Sequence, residues 1–241
     1  MRKIGKGKFG GYFCRISRPE DEKKHPLFIW CHGFGSDYLS GDIYEEVLAE
    51  AGYLFVSFDF RGGHPGDRSG GKTEKMSVCT EWNDLRCLSE VLKRLPWAEE
   101  GKLFLGGSSQ GGLVAALAAE ELQADALFLN CPAFSLVTEC QKDEAGFRQK
   151  LQELPQMKLG EIYFRDLKTI TEEEMYSYKG PLLIQHGEED AIVPFASSLK
   201  AKENFFQAEL IPFPQGGHRF VGEDRRKAAE NMVSFLKEHG E

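Results

Sequence analysis

The sequence predicts an α/β fold: a mostly parallel central sheet with helices on both faces and a small inserted cap. Short, near-continuous apolar runs alternate with amphipathic stretches along the chain. Runs of this kind suit strands buried on both faces, and their alternation with helices implies right-handed crossovers between parallel strands. Glycine-rich motifs carrying serine, histidine and carboxylate residues follow several of the runs. Chemistry in open α/β sheets gathers at the carboxyl ends of the strands.

Taken in order, residues 9–17 are expected to add antiparallel edge strands. Buried strands are read at 27–31, 53–58, 103–105, 126–129 and 182–184, with a further one at 208–213. Val78, Trp82, Leu85, Leu88, Leu92 and Leu95 recur at three- and four-residue steps, so a helix is predicted over 77–95 and ended by Pro96. Residues 111–122 are alanine-rich and helical. Ala228, Met232, Phe235 and Leu236 mark a C-terminal helix. Residues 134–179 break the rhythm, being too long for a plain connection. They carry Phe134, Phe147, Leu151, Leu154, Met157, Ile162, Tyr163, Phe164, Tyr176 and Tyr178 among many charges. This stretch is read as an inserted cap on a single domain spanning 1–241, the alternative being one extra crossover helix with loops.

Composition narrows the function classes. A formal net charge of −8 argues against nucleic acid as a partner, since phosphate binding needs a positive surface. No apolar run approaches a membrane span. The basic N-terminus lacks a following apolar segment and is read as an exposed leading strand rather than a signal peptide. Cys14, Cys31, Cys79, Cys87, Cys131 and Cys140 form no C-x-x-C pair and no close Cys/His cluster. Reduced thiols in a cytoplasmic protein are expected, with Cys31 and Cys131 as small core residues and no metal.

Four motifs carry the chemistry. Gly107-Ser108-Ser109-Gln110-Gly111 follows a predicted strand and precedes the alanine-rich helix, the setting in which a sharp turn projects a serine hydroxyl out of the sheet. The frame makes Ser109, not Ser108, its centre. His32-Gly33-Phe34-Gly35 ends another strand, where backbone N–H groups can meet a developing oxyanion; the amides of Phe34 and Gln110 are assigned to that task. His186-Gly187-Glu188-Glu189-Asp190 ends a third strand. Asp190 is read as the residue orienting the base, with Glu188 and Glu189 as solvated turn residues. Gly216-Gly217-His218 follows the last strand, and His218 is read as the base. His32 and His186 are expected to be structural, His25 and His239 to lie on the surface, and His64 is the weakest rival base. The chain order Ser109, Asp190, His218 is that of a serine-hydrolase triad.

With these motifs the sequence resembles the α/β-hydrolases over nearly its whole length, and most resembles the cinnamoyl (feruloyl) esterase branch. The resemblance rests on His32-Gly33-Phe34-Gly35, Phe58-Asp59-Phe60-Arg61-Gly62, Ser109-Gln110-Gly111-Gly112, His186 through Asp190 and Gly217-His218-Arg219-Phe220. It implies hydrolysis of a small-molecule ester of a hydroxycinnamic or similar acid, without metal or cofactor. Ser108 departs from the histidine often found before the nucleophile. The loop Gly62-Gly63-His64-Pro65-Gly66 is longer than the family's compact turn. Related branches include general carboxylesterases, monoacylglycerol lipases and oligopeptidases; the length leaves no room for an oligopeptidase propeller, which disfavours a peptidase. Thioesterase activity and a ligand-binding receptor on the same fold are the remaining alternatives. Within the cap, Tyr163, Tyr176 and Tyr178 are candidates to bond a phenolic hydroxyl, against the simpler reading that they pack the cap.

Overall fold

The computed structural model describes residues 2–152 and 157–239. Its strands are β1 (Arg2–Phe9), β2 (Tyr12–Pro19), β3 (His25–Cys31), β4 (Leu54–Phe58), β5 (Ala98–Ser108), β6 (Ala126–Asn130), β7 (Pro181–Gly187) and β8 (Gln207–Phe213). They form one sheet in the order β1-β2-β4-β3-β5-β6-β7-β8. Pairing is parallel from β4 through β8 and antiparallel for β1 with β2 and β2 with β4. The result is an α/β-hydrolase fold.

Buried strands alternate their side chains between two faces. On β3, Phe28 and Trp30 join one apolar layer and Leu27, Ile29 and Cys31 the other. That is why β3 carries no polar alternation. The first layer is closed by α1 (Asp42–Glu50) and α9 (Gly222–His239) through Tyr44, Leu48, Met232 and Leu236. The second is closed by α2 (Val78–Leu92) and α3 (Gln110–Ala119). Ser77 caps α2 in a reciprocal capping box with Thr80. Every residue of α3 is buried, as expected of a helix apolar all round.

The hairpin β1–β2 turns at Gly10 and Gly11, both at positive φ. Of these two strands β1 is an edge, whereas β2 lies inside the sheet against β4. Lys3, Lys6 and Lys8 stud β1 and blunt that edge against further pairing.

Between β6 and β7 the chain forms α4 (Ser135–Lys142), α5 (Glu144–Gln152), α6 (Glu161–Thr169) and α7 (Glu172–Met175). Leu154 lies outside the described residues. The last helix before β8 is α8 (Phe195–Asn204). One histidine differs from expectation: His25 is buried, its ring bridging Asp21 Oδ1 at 2.8 Å and the Gly52 carbonyl at 2.9 Å. All six cysteines are free, and Cys31 and Cys131 are wholly buried. No helix among the described residues is long and apolar enough to cross a membrane.

Candidate active site

Ser109 sits between β5 and α3 at φ 55° and ψ −125°, a conformation that L-residues rarely adopt. The turn is possible because its flanks lack side chains. A Cβ on Gly107 would lie 2.4 Å from the Gly111 carbonyl oxygen, and one on Gly111 would lie 2.3 Å from the carbonyl oxygens of Cys31 and His32. Those contacts are backbone and cannot swing aside. Gly111→Ala is therefore expected to cost about 1–3 kcal/mol of stability and to displace Ser109, read as a lowered denaturation midpoint together with lost activity.

Asp190 follows β7 and has a side chain with no exposed surface. Its Oδ2 accepts from His218 Nδ1 at 2.7 Å and from His186 Nε2 at 3.1 Å; its Oδ1 accepts from the backbone N–H groups of Ile192 and Val193 at 2.8 and 2.9 Å. Burial works against the charge. The bonds from His186, His218, Val193 and Ile192 outweigh it and hold the carboxyl far below the usual carboxylate range. His186 Nε2 also meets the Val193 carbonyl, so Nε2 carries the proton and Nδ1 accepts from Ser198 Oγ at 2.6 Å. His218 donates through Nδ1, which leaves Nε2 free to accept a proton. Glu188 and Glu189 are exposed.

Ser109 and His218 line the same cavity, of about 550 Å³, with Gly33, Phe34, Tyr44 and Asn130 among its walls. Among the described residues, the backbone N–H groups of Phe34 and Gln110 donate to no protein acceptor. His32 is structural: it is buried, its Nδ1 meets the Gly33 carbonyl and its Nε2 accepts from the Phe60 N–H at 3.1 Å. Burial lowers its pKa, consistent with a neutral ring. His64 Nε2 lies 3.7 Å from Asp59, away from this cavity.

The three candidate tyrosines take other places. None lines the cavity. Tyr163 is buried, stands edge-on to Phe34 and donates its hydroxyl to Gln110 Oε1 at 2.7 Å. Tyr176 packs between Phe134 and Phe205. Tyr178 donates to the Ala124 carbonyl at 2.9 Å, before the start of β6 and so at the opposite end of the strands from Ser109. Buried phenols seek protein acceptors, so Tyr163 and Tyr178 are committed within the protein and correct the expectation of substrate contacts.

Sequence reasoning missed what lies behind the nucleophile turn. Gln110 Nε2 donates to Glu81 Oε2 at 2.7 Å, completing a buried chain from Tyr163 through Gln110 to Glu81. Burial raises the Glu81 pKa to about 8, despite the Gln110 bond. A signal was present: Glu81 interrupts the apolar stripe of α2 between Val78 and Leu85. With its folded pKa above the unfolded value, the native state holds the extra proton. Stability then falls as pH rises from about 4.5 to 8, by at most about 1.4 kcal/mol per unit. Glu81→Gln should flatten that slope in denaturant titrations across this window.

Among the described residues the fold also assembles a group with metal-ligand chemistry, Cys131, Asp190 and His218, whose donor atoms lie within 4.8 Å of one another. An ion held at about 2.0–2.3 Å by both carboxylate and imidazole would require the 2.7 Å Asp190–His218 bond to open. The Asp190 bonding set is that of an oriented imidazole.

Residues 41–241 match the prolyl oligopeptidase family. The chain belongs to that family. The chain is 27% identical over 227 residues to the lysophosphatidylserine lipase ABHD12 of Danio rerio, covering 83% of this chain and 55% of that protein. It is 24% identical over 238 residues to the putative esterase YitV of Bacillus subtilis (strain 168), covering 90% and 89%. The chain spans about half the length of the ABHD12 relatives. Among solved structures it is similar to Est1E of Butyrivibrio proteoclasticus with ferulic acid bound, at TM-score 0.81, 22% identity and coverage of 97% and 99%. This prolyl oligopeptidase family member thus has an α/β-hydrolase fold and resembles esterases and lipases.

Proposed function

We propose that the protein is a serine carboxylic-ester hydrolase working through an acyl-enzyme, with Ser109 as nucleophile, His218 as general base and Asp190 as the residue that orients it. The observation that carries this reading is the 2.7 Å bond from His218 Nδ1 to a buried, ionised Asp190, in a cavity that His218 shares with Ser109. His218 Nε2 takes the Ser109 proton as Oγ attacks the ester carbonyl carbon. The Phe34 and Gln110 amides receive the oxyanion. The carbonyl–alkoxy bond then breaks, and the alcohol leaves with the proton from His218. Water, deprotonated by His218, attacks the acyl group, and Ser109 departs reprotonated. No cofactor enters these steps.

The substrate reading is an ester of an aromatic, hydroxycinnamic or other small acid, supported by the sequence motifs shared with cinnamoyl esterases. Trp30, Phe34, Ile43, Ile192 and Phe220 give the cavity its apolar surface. The helices α4–α7 serve as the cap, and the six free thiols support a reducing, cytoplasmic setting. Family membership favours one second reading, peptide-bond hydrolysis by the same serine. A panel of methyl ferulate, p-nitrophenyl butyrate and a peptide p-nitroanilide separates them. Preferential cleavage of methyl ferulate is expected. Preference for the butyrate discards the cinnamoyl assignment and keeps the esterase, whereas preference for the anilide replaces the esterase with a peptidase.

A further inference from the structure

The cavity around Ser109 opens toward the α1 and α9 side of the sheet, and its lining includes no residue of the helical insertion. Charged side chains stand among its apolar walls there. Asp42 is the only carboxylate among the lining residues, and it is taken: Arg225 holds it at 2.7 Å. Arg219, beside His218, lines the same cavity and has no ion-pair, hydrogen-bond or ring partner among the described residues. Arg219 is therefore the one cation of this lining without a lining counter-charge, with the Asp190 carboxylate behind His218, in a protein whose formal net charge is −8. The cavity also meets the N-terminus of α1, where negative charge is favoured.

A second observation points to a ligand. Asn130, 6% exposed at the end of β6, lines this cavity. One end of its amide bonds the Tyr44 hydroxyl, while its Oδ1 is buried with no partner. A buried amide with a free end is costly unless a ligand or water completes it. Oxygen and nitrogen of an amide exchange places with a simple flip, Tyr44 then donating and the NH2 taking the unpartnered place. In that orientation Asn130 offers a donor and Arg219 a charge.

We infer that this cavity selects esters whose acid or alcohol part carries an anionic oxygen group, a carboxylate or a phosphate, bound by Arg219 with Asn130 beside it. The inference rests on the reading of Ser109 as nucleophile and names the substrate class of that site. Arg219 is solvent-exposed, so its contribution is that of a screened charge.

The test compares matched esters in wild type, Arg219→Gln and Arg219→Glu. 4-Nitrophenyl valerate is paired with mono-4-nitrophenyl glutarate, which puts a carboxylate on the acid. Monobutyrin is paired with butyryl glycerol 3-phosphate, which puts a phosphate on the alcohol. The expected result is a higher kcat/KM for at least one anionic ester than for its neutral mate in wild type. That ratio falls about two- to fivefold in Arg219→Gln and further in Arg219→Glu, and shrinks in wild type at about 0.5 M salt. Which pair shows it tells carboxylate from phosphate. An anionic ester no better than its mate in both pairs, or a ratio indifferent to Arg219, overturns the inference. Turnover of the neutral esters reports separately on Ser109. Should these stay intact, calorimetric binding of glutarate and glycerol 3-phosphate decides: binding lost in Arg219→Gln sustains the anion site, and no binding to wild type overturns it.

Discussion

Ser109→Ala is expected to lower ester turnover roughly 10⁴-fold or more, as removal of a serine nucleophile does where the base and oxyanion donors act with it as one unit. The loss should lie in kcat, because Oγ forms its bond only as the reaction proceeds. The same residue carries a structural cost. Alanine at φ 55° and ψ −125° keeps the backbone strain of serine, whereas glycine adopts this region freely. Ser109→Gly should therefore be as inactive as Ser109→Ala yet more stable than it by about 1 kcal/mol or more. Denaturant midpoints of the two variants check this. A wild-type rate in Ser109→Ala would remove the serine from the chemistry.

Asp190→Asn is expected to have the next largest effect, lowering kcat by about 10⁴-fold. The carboxylate accepts four hydrogen bonds, two from imidazoles and two from backbone amides. An asparagine keeping its oxygen on Ile192 and Val193 turns its NH2 toward His186 and His218. Donor then faces donor. His218 escapes by moving its proton to Nε2, the atom that must accept from Ser109. His186 is pinned by the Val193 carbonyl and Ser198 and cannot follow. Stability should fall as well, since a buried donor is left without an acceptor.

The pH dependence of wild-type stability follows the same carboxylate. Its folded pKa lies below the unfolded value, so its stabilisation is complete above about pH 4 and is lost as pH falls toward the folded value. Acid titration of wild type and Asp190→Asn should show a smaller acid-side loss in the variant. Asp190 remains ionised throughout the weakly acidic range, so it does not set an acid limb of activity there.

Much of this was legible in the sequence because the central strands are apolar on both faces. Residues 27–31, 126–129 and 182–184 fall within β3, β6 and β7. β5 was read only from Leu103 because its first half, including Glu99, Glu100 and Gly101, is exposed strand with no apolar period. β1 was only partly visible for a similar reason: its lysines and glycines become a strand by pairing with β2. The turn at Ser109 was legible because tight strand-to-helix geometry demands Gly107 and Gly111, and sequence records that demand directly.

What the sequence did not show are choices settled by tertiary neighbours. Tyr163, Tyr176 and Tyr178 read alike as aromatic residues in a charged insertion. Their partners, Gln110, Phe134 and Ala124, lie outside their own segment or at its very start, so local pattern holds no record of them. The second imidazole on Asp190 is a similar case. His186 stood out as a structural residue near the site, but its two hydrogen bonds, to Asp190 and Ser198, depend on how α8 packs beside β7.

The most direct test of the central claim is covalent. The intact protein is treated with diethyl p-nitrophenyl phosphate and digested, and the modified peptide is mapped by mass spectrometry. The account predicts one diethylphosphoryl adduct, on Ser109, with activity lost in step and labelling greatly slowed in His218→Ala. An adduct on Ser108 or elsewhere, or full loss of activity with Ser109 unmodified, would contradict it.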